Sequence, residues 1–327
     1  MPSTWYEAHL VAPGRDVIGV ALPGLPYISI GHNRRIAWGV TNVMADNQDL
    51  FIERVNPDNP NQVWFIDHWE NMTVAEVSIP VKGQEPIKHE VRATRHGPLI
   101  SSVEPGLTET LAVQWVMARR TPQEFAGNAE SFRLLGRASN WEEFRAAVAP
   151  MLGASNMMYA DVDGNIGWQV AGAIPRRAKG DGRFPVPGWT GEYEWDGLVP
   201  FEELPQYYLP AGSDQPQVTG SPVTSAPTHA LATANQRTTP AEYQYSLSQT
   251  WIPAYRFLRI SELLGQKEKM SVEDMQRYQA DVYTLFADAL IPLLDEVRVD
   301  SEDLALALSP TRVGSTGHAE CTRSDIV

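Results

Sequence analysis

The sequence predicts an α+β chain, strands first and helices after. Two observations carry that expectation. Short runs rich in β-branched and aromatic residues, bounded by Gly, Pro or Asn, succeed one another between residues 16 and 117. From residue 125 the apolar residues fall three and four apart instead, and this spacing returns from residue 252.

Strands are expected at "DVIGVALPG" (16–24), "YISIG" (27–31), "IAWGVT" (36–41) and "DLFIERV" (49–55). They continue at "QVWFID" (62–67), "MTVAEVSIPV" (72–81), "HEVRATRHGPLI" (89–100) and "ETLAVQWVM" (109–117). Within them "TVAEVSI" alternates in twos, as a half-buried strand should. Helices are expected at "FAGNAESFRLLGRA" and "NWEEFRAAVAPML", the second with Asn140 as cap and Glu143 as its capping-box partner. In "NMMYADVDGNIGWQVAGAIP" (156–175) two strands flank "DGN", a hairpin signal. The same string resembles the start of a calcium loop, but the twelfth position counted from Asp161 is Gly172 where that loop needs Glu. Residues 179–228 form an irregular crossing too rich in aromatic residues for a plain linker. A helix follows in "IPAYRFLRISELLG", with Pro253 near its first turn and Gly265 past its end. A last helix is expected over 271–297, capped by Ser271 and Asp274. Its apolar face is Met275, Tyr278, Val282, Leu285, Phe286 and Leu290, and Pro292 should kink or end it.

Composition narrows the function. The 327 residues are 43% hydrophobic, enough for a sizeable core in one large domain or two modest ones. Forty acids against 26 bases give a net charge of −14. Such a chain repels phosphate backbones and anionic lipid surfaces on average, so no nucleic-acid partner is expected. The dense basic clusters "ARR" (118–120) and "RRAK" (176–179) are taken as solvated loop charges. A single cysteine, Cys321, excludes an internal disulfide and a cysteine-based zinc site within one chain. No apolar run approaches the ~18 residues of a membrane helix. "MPSTWYEAHL" lacks the basic-then-apolar pattern of a signal peptide.

The stretch 31–52, "GHNRRIAWGVTNVMADNQDLFI", crowds hydrogen-bonding side chains against a core strand. Asp46 and Asp49, with Asn47 and Gln48 between them, offer hard oxygens that suit Ca²⁺, although two carboxylates do not complete a site. A carboxylate pair of the glycosidase kind is a second reading. In "LATANQR" (231–237) Asn235 either caps a strand or aims its amide into a cleft. An amide there can donate to a developing oxyanion without bringing charge. Arg256 and Arg259, three apart on one helix face, interrupt an apolar stretch. Such arginines pair with acids, or one of them fixes an active-site amide or carboxylate. His32 and His96, beside strand ends, are expected to be structural. No HExxH, GxSxG, Walker A or GxGxxG string is present.

The ordered set "WYEAHL", "PGLPYISIGHNRRIAWGVTN", "DNQDLFIERV", "RHGPLI", "NMMYADVDGNIGWQVAG", "RFPVPGW", "WDGLVPFEELP", "ATANQR" and "YRFLRISELL" resembles the penicillin acylase (penicillin amidase) family of N-terminal-nucleophile (Ntn) hydrolases. The resemblance covers residues 2–295 and is specific as an ordered set, though each motif alone is weak. It implies an Ntn-hydrolase αββα sandwich, two stacked antiparallel sheets between helical layers, here incomplete. It implies hydrolysis of a small-molecule N-acyl amide, penicillin-like or other, by an N-terminal serine released when a precursor cleaves itself. The serine's α-amine, titrating near pH ~8, serves as base. Matched motif to motif, Asn235 is the side-chain oxyanion donor, the N–H of Asn42 the main-chain donor, and Arg256 the residue that orients the asparagine. Val40 and Met44 match positions lining the acyl pocket. Asp46, Gln48 and Asp49 match a structural calcium site. The implied partner is a small (alpha) subunit from the same precursor. The implied location of the complete protein is periplasmic or extracellular.

One departure matters. The family's serine stands a short way upstream of the Trp-Tyr motif, and here "MPSTWYEAHL" begins almost at that motif. Ser3 falls on a pocket position, and removal of Met1 exposes Pro2. Residues 1–295 are therefore expected to be part of a large (beta) subunit, followed by a tail over 296–327 that is disordered or frame-shifted. The chain alone is expected to be inactive. Without the N-terminal strand that carries the serine, central sheet positions are expected to be left unpaired. Two other readings stand beside this one: a binding relative that kept the cleft without the nucleophile, and an unrelated β-rich carbohydrate-active domain.

Overall fold

The computed structural model describes residues 4–101, 106–219 and 230–295; Ser3, Cys321 and the tail over 296–327 lie outside the described residues. The chain opens with strands β1 (Tyr6–Ala12) and β2 (Arg15–Ala21), joined by a tight turn in which Gly14 takes φ 71°, a region glycine enters without strain. Next come β3 (Ile30–His32), β4 (Ile36–Asn42) and β5 (Gln48–Glu53). Short ribbons fill residues 55–98 before β6 (Thr110–Trp115). Helix α1 (Pro122–Leu135) starts on a complete Thr121–Glu124 capping box, and α2 (Trp141–Val148) follows. The hairpin β7 (Ser155–Asp161) and β8 (Ile166–Ala171) turns on Asp161, whose carboxylate accepts from the Asp163 and Asn165 N–H groups at 3.0 Å. Five short strands complete the β part: β9 (Pro175–Arg177), β10 (Val186–Pro187), β11 (Trp195–Leu198), β12 (Gln206–Leu209) and β13 (Gln217–Thr219). The last described elements are α3 (Tyr255–Leu264), α4 (Val272–Gln279) and α5 (Leu285–Asp295).

Eight strands make the main sheet in the order β1-β2-β3-β4-β7-β8-β12-β13, every pair antiparallel. A second sheet has the order β6-β5-β10, with β10 parallel to β5. Strand alternation divides two cores between the faces of the main sheet. On one face Met157 and Tyr159 pack with Trp38 against Leu135, Trp141 and Phe144 of α1 and α2. On the other, Trp168, Val170 and Val43 pack with Leu247, Tyr243 and Trp251 from the segment before α3.

Three elements differ from expectation for identifiable reasons. The helix expected over 271–297 is two helices, broken at 280–284 rather than at Pro292, which sits inside α5. Asp281 at the break takes a two-pronged bond from Arg259 (2.9 and 2.8 Å), and the Arg259 guanidinium lies over the Tyr283 ring. The strand expected over 89–100 stops at Thr94, because His96 turns inward to a buried partner. The crossing at 179–228 carries β10 to β13, two of which extend the main sheet. A smaller difference lies at α2. Asn140 accepts from the Glu143 N–H at 2.9 Å as a cap should, but the Glu143 carboxylate returns to Ser139 rather than to Asn140.

Candidate active site

The site begins where β4 ends. Its last pair with β7 is Ser155↔Asn42. On the other side β3 is three residues long and meets β4 only at Ala37 and Trp38. The Asn33 N–H donates to the Ile36 carbonyl at 3.0 Å, so the main-chain groups of Ile36 face β3. Main-chain groups alternate sides along an antiparallel strand. Those of Trp38, Val40 and Asn42 therefore face the same way. Beside Val40 and Asn42 no described strand receives them, although β4 lies fourth of eight in the sheet.

Asn235 closes on this unpaired stretch. It holds φ 64°, the left-handed region that asparagine tolerates better than most residues. Its Nδ2 donates to the Asn42 carbonyl at 2.7 Å, across 193 positions of sequence. Arg256 Nη2 donates to Asn235 Oδ1 at 2.9 Å and to the Ala234 carbonyl at 3.0 Å. The turn is held further by the Ile252 N–H, which donates to the Asn235 carbonyl at 3.0 Å. Alongside, the Thr41 and Thr233 hydroxyls lie 2.8 Å apart. Arg259, on the same helix, turns away to Asp281, so one arginine of the pair holds an amide and the other an acid.

Sequence reasoning missed Asn156. It is fully buried on β7, donates to Thr41 Oγ1 at 3.1 Å and to the Asn42 carbonyl at 3.4 Å, and accepts from Trp168 Nε1 at 3.0 Å. The available signal was an asparagine opening the core strand "NMMYAD", where a buried amide must find partners. Of the remaining expected residues, Val40 is half-buried against the core under α1 and α2. Met44 is half-buried at φ 61°, its N–H donating to Asn42 Oδ1 at 2.7 Å. Asp46 and Asp49 do converge, but upon Arg177, while Gln48 is exposed. The Arg177 side chain is 5% exposed, which corrects the expectation that "RRAK" is a solvated cluster. Among the described residues no group of three or more His, Cys, Asp or Glu side chains is disposed to hold a metal.

Nearby, His96 is structural, as expected, and fully engaged. Its Nδ1 lies 2.8 Å from Glu53 and its Nε2 2.8 Å from Glu194, with the ring stacked on Phe51 at 3.9 Å. Burial disfavours the imidazolium, yet the hydrogen bonds to Glu194 and Glu53 outweigh it and raise the His96 pKa. For Glu194 burial works upward, and the His96 bond and charge bring its pKa below the ordinary range.

A two-donor geometry of neutral amides suits a reaction in which a carbonyl oxygen gains negative charge. The amide of Asn235 spends one N–H on Asn42 and keeps a second. The Asn42 N–H faces the same unpaired side. No helix among the described residues is long and apolar enough to cross a membrane.

Comparison with known proteins agrees with this architecture. The penicillin amidase family model matches residues 1–316. Acyl-homoserine lactone acylase QuiP of Pseudomonas fluorescens is 34% identical over 287 residues, 86% of this chain and 33% of its own length. Penicillin G acylase of Escherichia coli is 30% identical over 273 residues, 83% of this chain and 30% of its own. The chain spans about a third of the length of these curated relatives. A thermostable penicillin G acylase from Alcaligenes faecalis superposes with TM-score 0.73 at 24% identity, over 98% of this chain and 55% of that one. The mixed α+β architecture of mostly antiparallel sheets is thus shared with a penicillin acylase. With its family model matched over nearly the whole sequence, the chain belongs to the penicillin amidase family.

Proposed function

We propose that this chain carries the oxyanion-binding part of an acylase that hydrolyses a linear N-acyl amide through an N-terminal serine. One observation carries the reading: the Asn235 amide sits 2.7 Å from the Asn42 carbonyl, beside main-chain groups that no described strand pairs. The relatives named acylases support amide hydrolysis as the reaction class. The serine Oγ adds to the amide carbonyl carbon and its proton passes to the serine's own α-amine. The oxyanion takes hydrogen bonds from the Asn42 N–H and Asn235 Nδ2, while Arg256 orients the asparagine. Collapse breaks the C–N bond, the amine leaves with that proton, and water then hydrolyses the acyl ester.

The serine belongs to a segment outside these residues, beside which a small (alpha) subunit would complete the acyl pocket with Val40 and Met44. The substrate is a penicillin-like side-chain amide or another N-acyl amide such as an acyl-homoserine lactone. The completed protein would work in the periplasm or outside the cell. On its own the chain is expected to be inactive.

The test is to join the chain to a serine-bearing segment and small subunit, and to follow amine release from phenylacetyl and aliphatic acyl amides. Asn235→Ala should then cut turnover by on the order of 10²–10³, the loss for one oxyanion donor. An unchanged rate removes Asn235 from this role. Ligand binding without any turnover in the completed protein favours a binding relative instead.

A further inference from the structure

Residues 46–49 lead from the site into β5. By strand alternation Asp49 turns inward, 6% exposed at its side chain, while Gln48 turns to solvent. Arg177, at the end of β9, meets Asp49 as a fork: Nε to Oδ2 at 2.9 Å and Nη2 to Oδ1 at 2.8 Å. The same Nη2 donates to the Asp46 carbonyl at 3.0 Å and lies 3.8 Å from the Asp46 carboxylate. Trp195 Nε1 on β11 donates to Asp49 Oδ2 at 2.6 Å. The backbone closes over the group at Gly182, where φ is +83°. A Cβ there would stand 2.5 Å from Asp46 Oδ2, 2.8 Å from Asp49 Oδ1 and 2.9 Å from Arg177 Nη2.

These residues do not fit a calcium ion. Calcium needs ~6–8 oxygens, each about 2.3–2.6 Å away. Here both Asp49 oxygens already accept charge-assisted or indole hydrogen bonds, and Gln48 faces away. A divalent ion placed among these oxygens would also lie against a buried guanidinium. That guanidinium is the planar, permanently charged group best suited to a carboxylate fork.

We propose that Arg177 is a built-in cation. Its guanidinium takes the place of a metal at Asp46 and Asp49, and it ties the loop after Asn42 to the β9–β11 pair without calcium. Arg177 therefore makes the site-bearing loop insensitive to chelators.

The test uses the full chain with Ca²⁺, with EDTA, and with Tb³⁺ as a luminescent calcium substitute that Trp195 would sensitise if bound beside Asp49. The expected result is a Tm unchanged by Ca²⁺ or EDTA. Terbium emission should be the same in the wild type and in Asp49→Asn, the residual signal coming from surface acids. Arg177→Met should lower Tm by several degrees, and Arg177→Lys, which keeps the charge and loses the fork, by less. Calcium binding with a dissociation constant below about 1 mM, the range of weak extracellular modules, that Asp49→Asn abolishes would overturn the proposal. If Arg177→Met does not fold, the calcium titration of the wild type against Asp49→Asn decides alone.

Discussion

Arg256 fixes which end of the Asn235 amide is the donor. Its Nη2 donates 2.9 Å to Asn235 Oδ1, and a guanidinium has no acceptor, so the oxygen must face it and Nδ2 must face Asn42. Neither residue type dictates this orientation by itself; the pairing settles it through the chemistry of donor and acceptor.

It follows that Arg256 acts through Asn235. In a completed acylase Arg256→Met should lower kcat with KM little changed. Hydrogen bonds to charged groups are worth about 1.5–3 kcal/mol, which converts to roughly 10- to 100-fold in rate. The loss should be smaller than for Asn235→Ala, and a larger one would mean that Arg256 touches the substrate. Steady-state kinetics on a chromogenic acyl amide separates these outcomes.

The Glu53–His96–Glu194 bridge should make stability depend on pH. A histidine with a raised folded-state pKa adds stability in full below its unfolded value, near ~6.5, and loses it as pH rises through the folded value. Glu194, with a lowered pKa, adds stability above the ordinary carboxylate range and loses it as pH falls through its folded value. The bridge is therefore strongest at mildly acidic pH. Melting curves of the wild type and His96→Gln should differ most there and converge toward alkaline pH. A difference that grows with alkalinity would show that His96 is held neutral.

The packing of α2 on the main sheet should tolerate no added methyl at Gly167. The Trp141 ring lies over that position, so a Cβ would stand 2.5 Å from Trp141 Cζ3. The same ring stacks on Tyr208 at 4.9 Å and on Phe144 at 5.3 Å, which leaves it nowhere to move. Gly167→Ala should cost about 1–3 kcal/mol through overpacking, read as a lower Tm with unchanged secondary structure by circular dichroism.

Local signals carried well from sequence to structure. A short β-branched and aromatic run located β4, the "DGN" turn located the hairpin of β7 and β8, and Ser271 and Asp274 in capping positions located the start of α4. What stayed hidden depends on partners far away in the chain. Arg177 looked solvated because nothing beside it in sequence reveals Asp49, which lies 128 positions off. The helix break at 280–284 was hidden for the same reason, since a tertiary pull from Arg259 on Asp281 overrides an apolar spacing that suits one long helix. Asn235 and Arg256 could be matched in sequence, but the convergence of Asn42 and Asn235 with the buried Asn156 is a property of the folded sheet.

The short reach of β3 has a consequence for the backbone of β4. Amide hydrogens at Gly39 and Thr41 are turned toward β7 and should exchange with deuterium slowly. Those at Val40 and Asn42, turned to the side where β3 has stopped, should exchange fast. Protection should thus alternate residue by residue along a strand in the middle of a sheet, where uniform slowness is the usual pattern. Docking of a further strand on that side would slow every second amide and leave the others as they were.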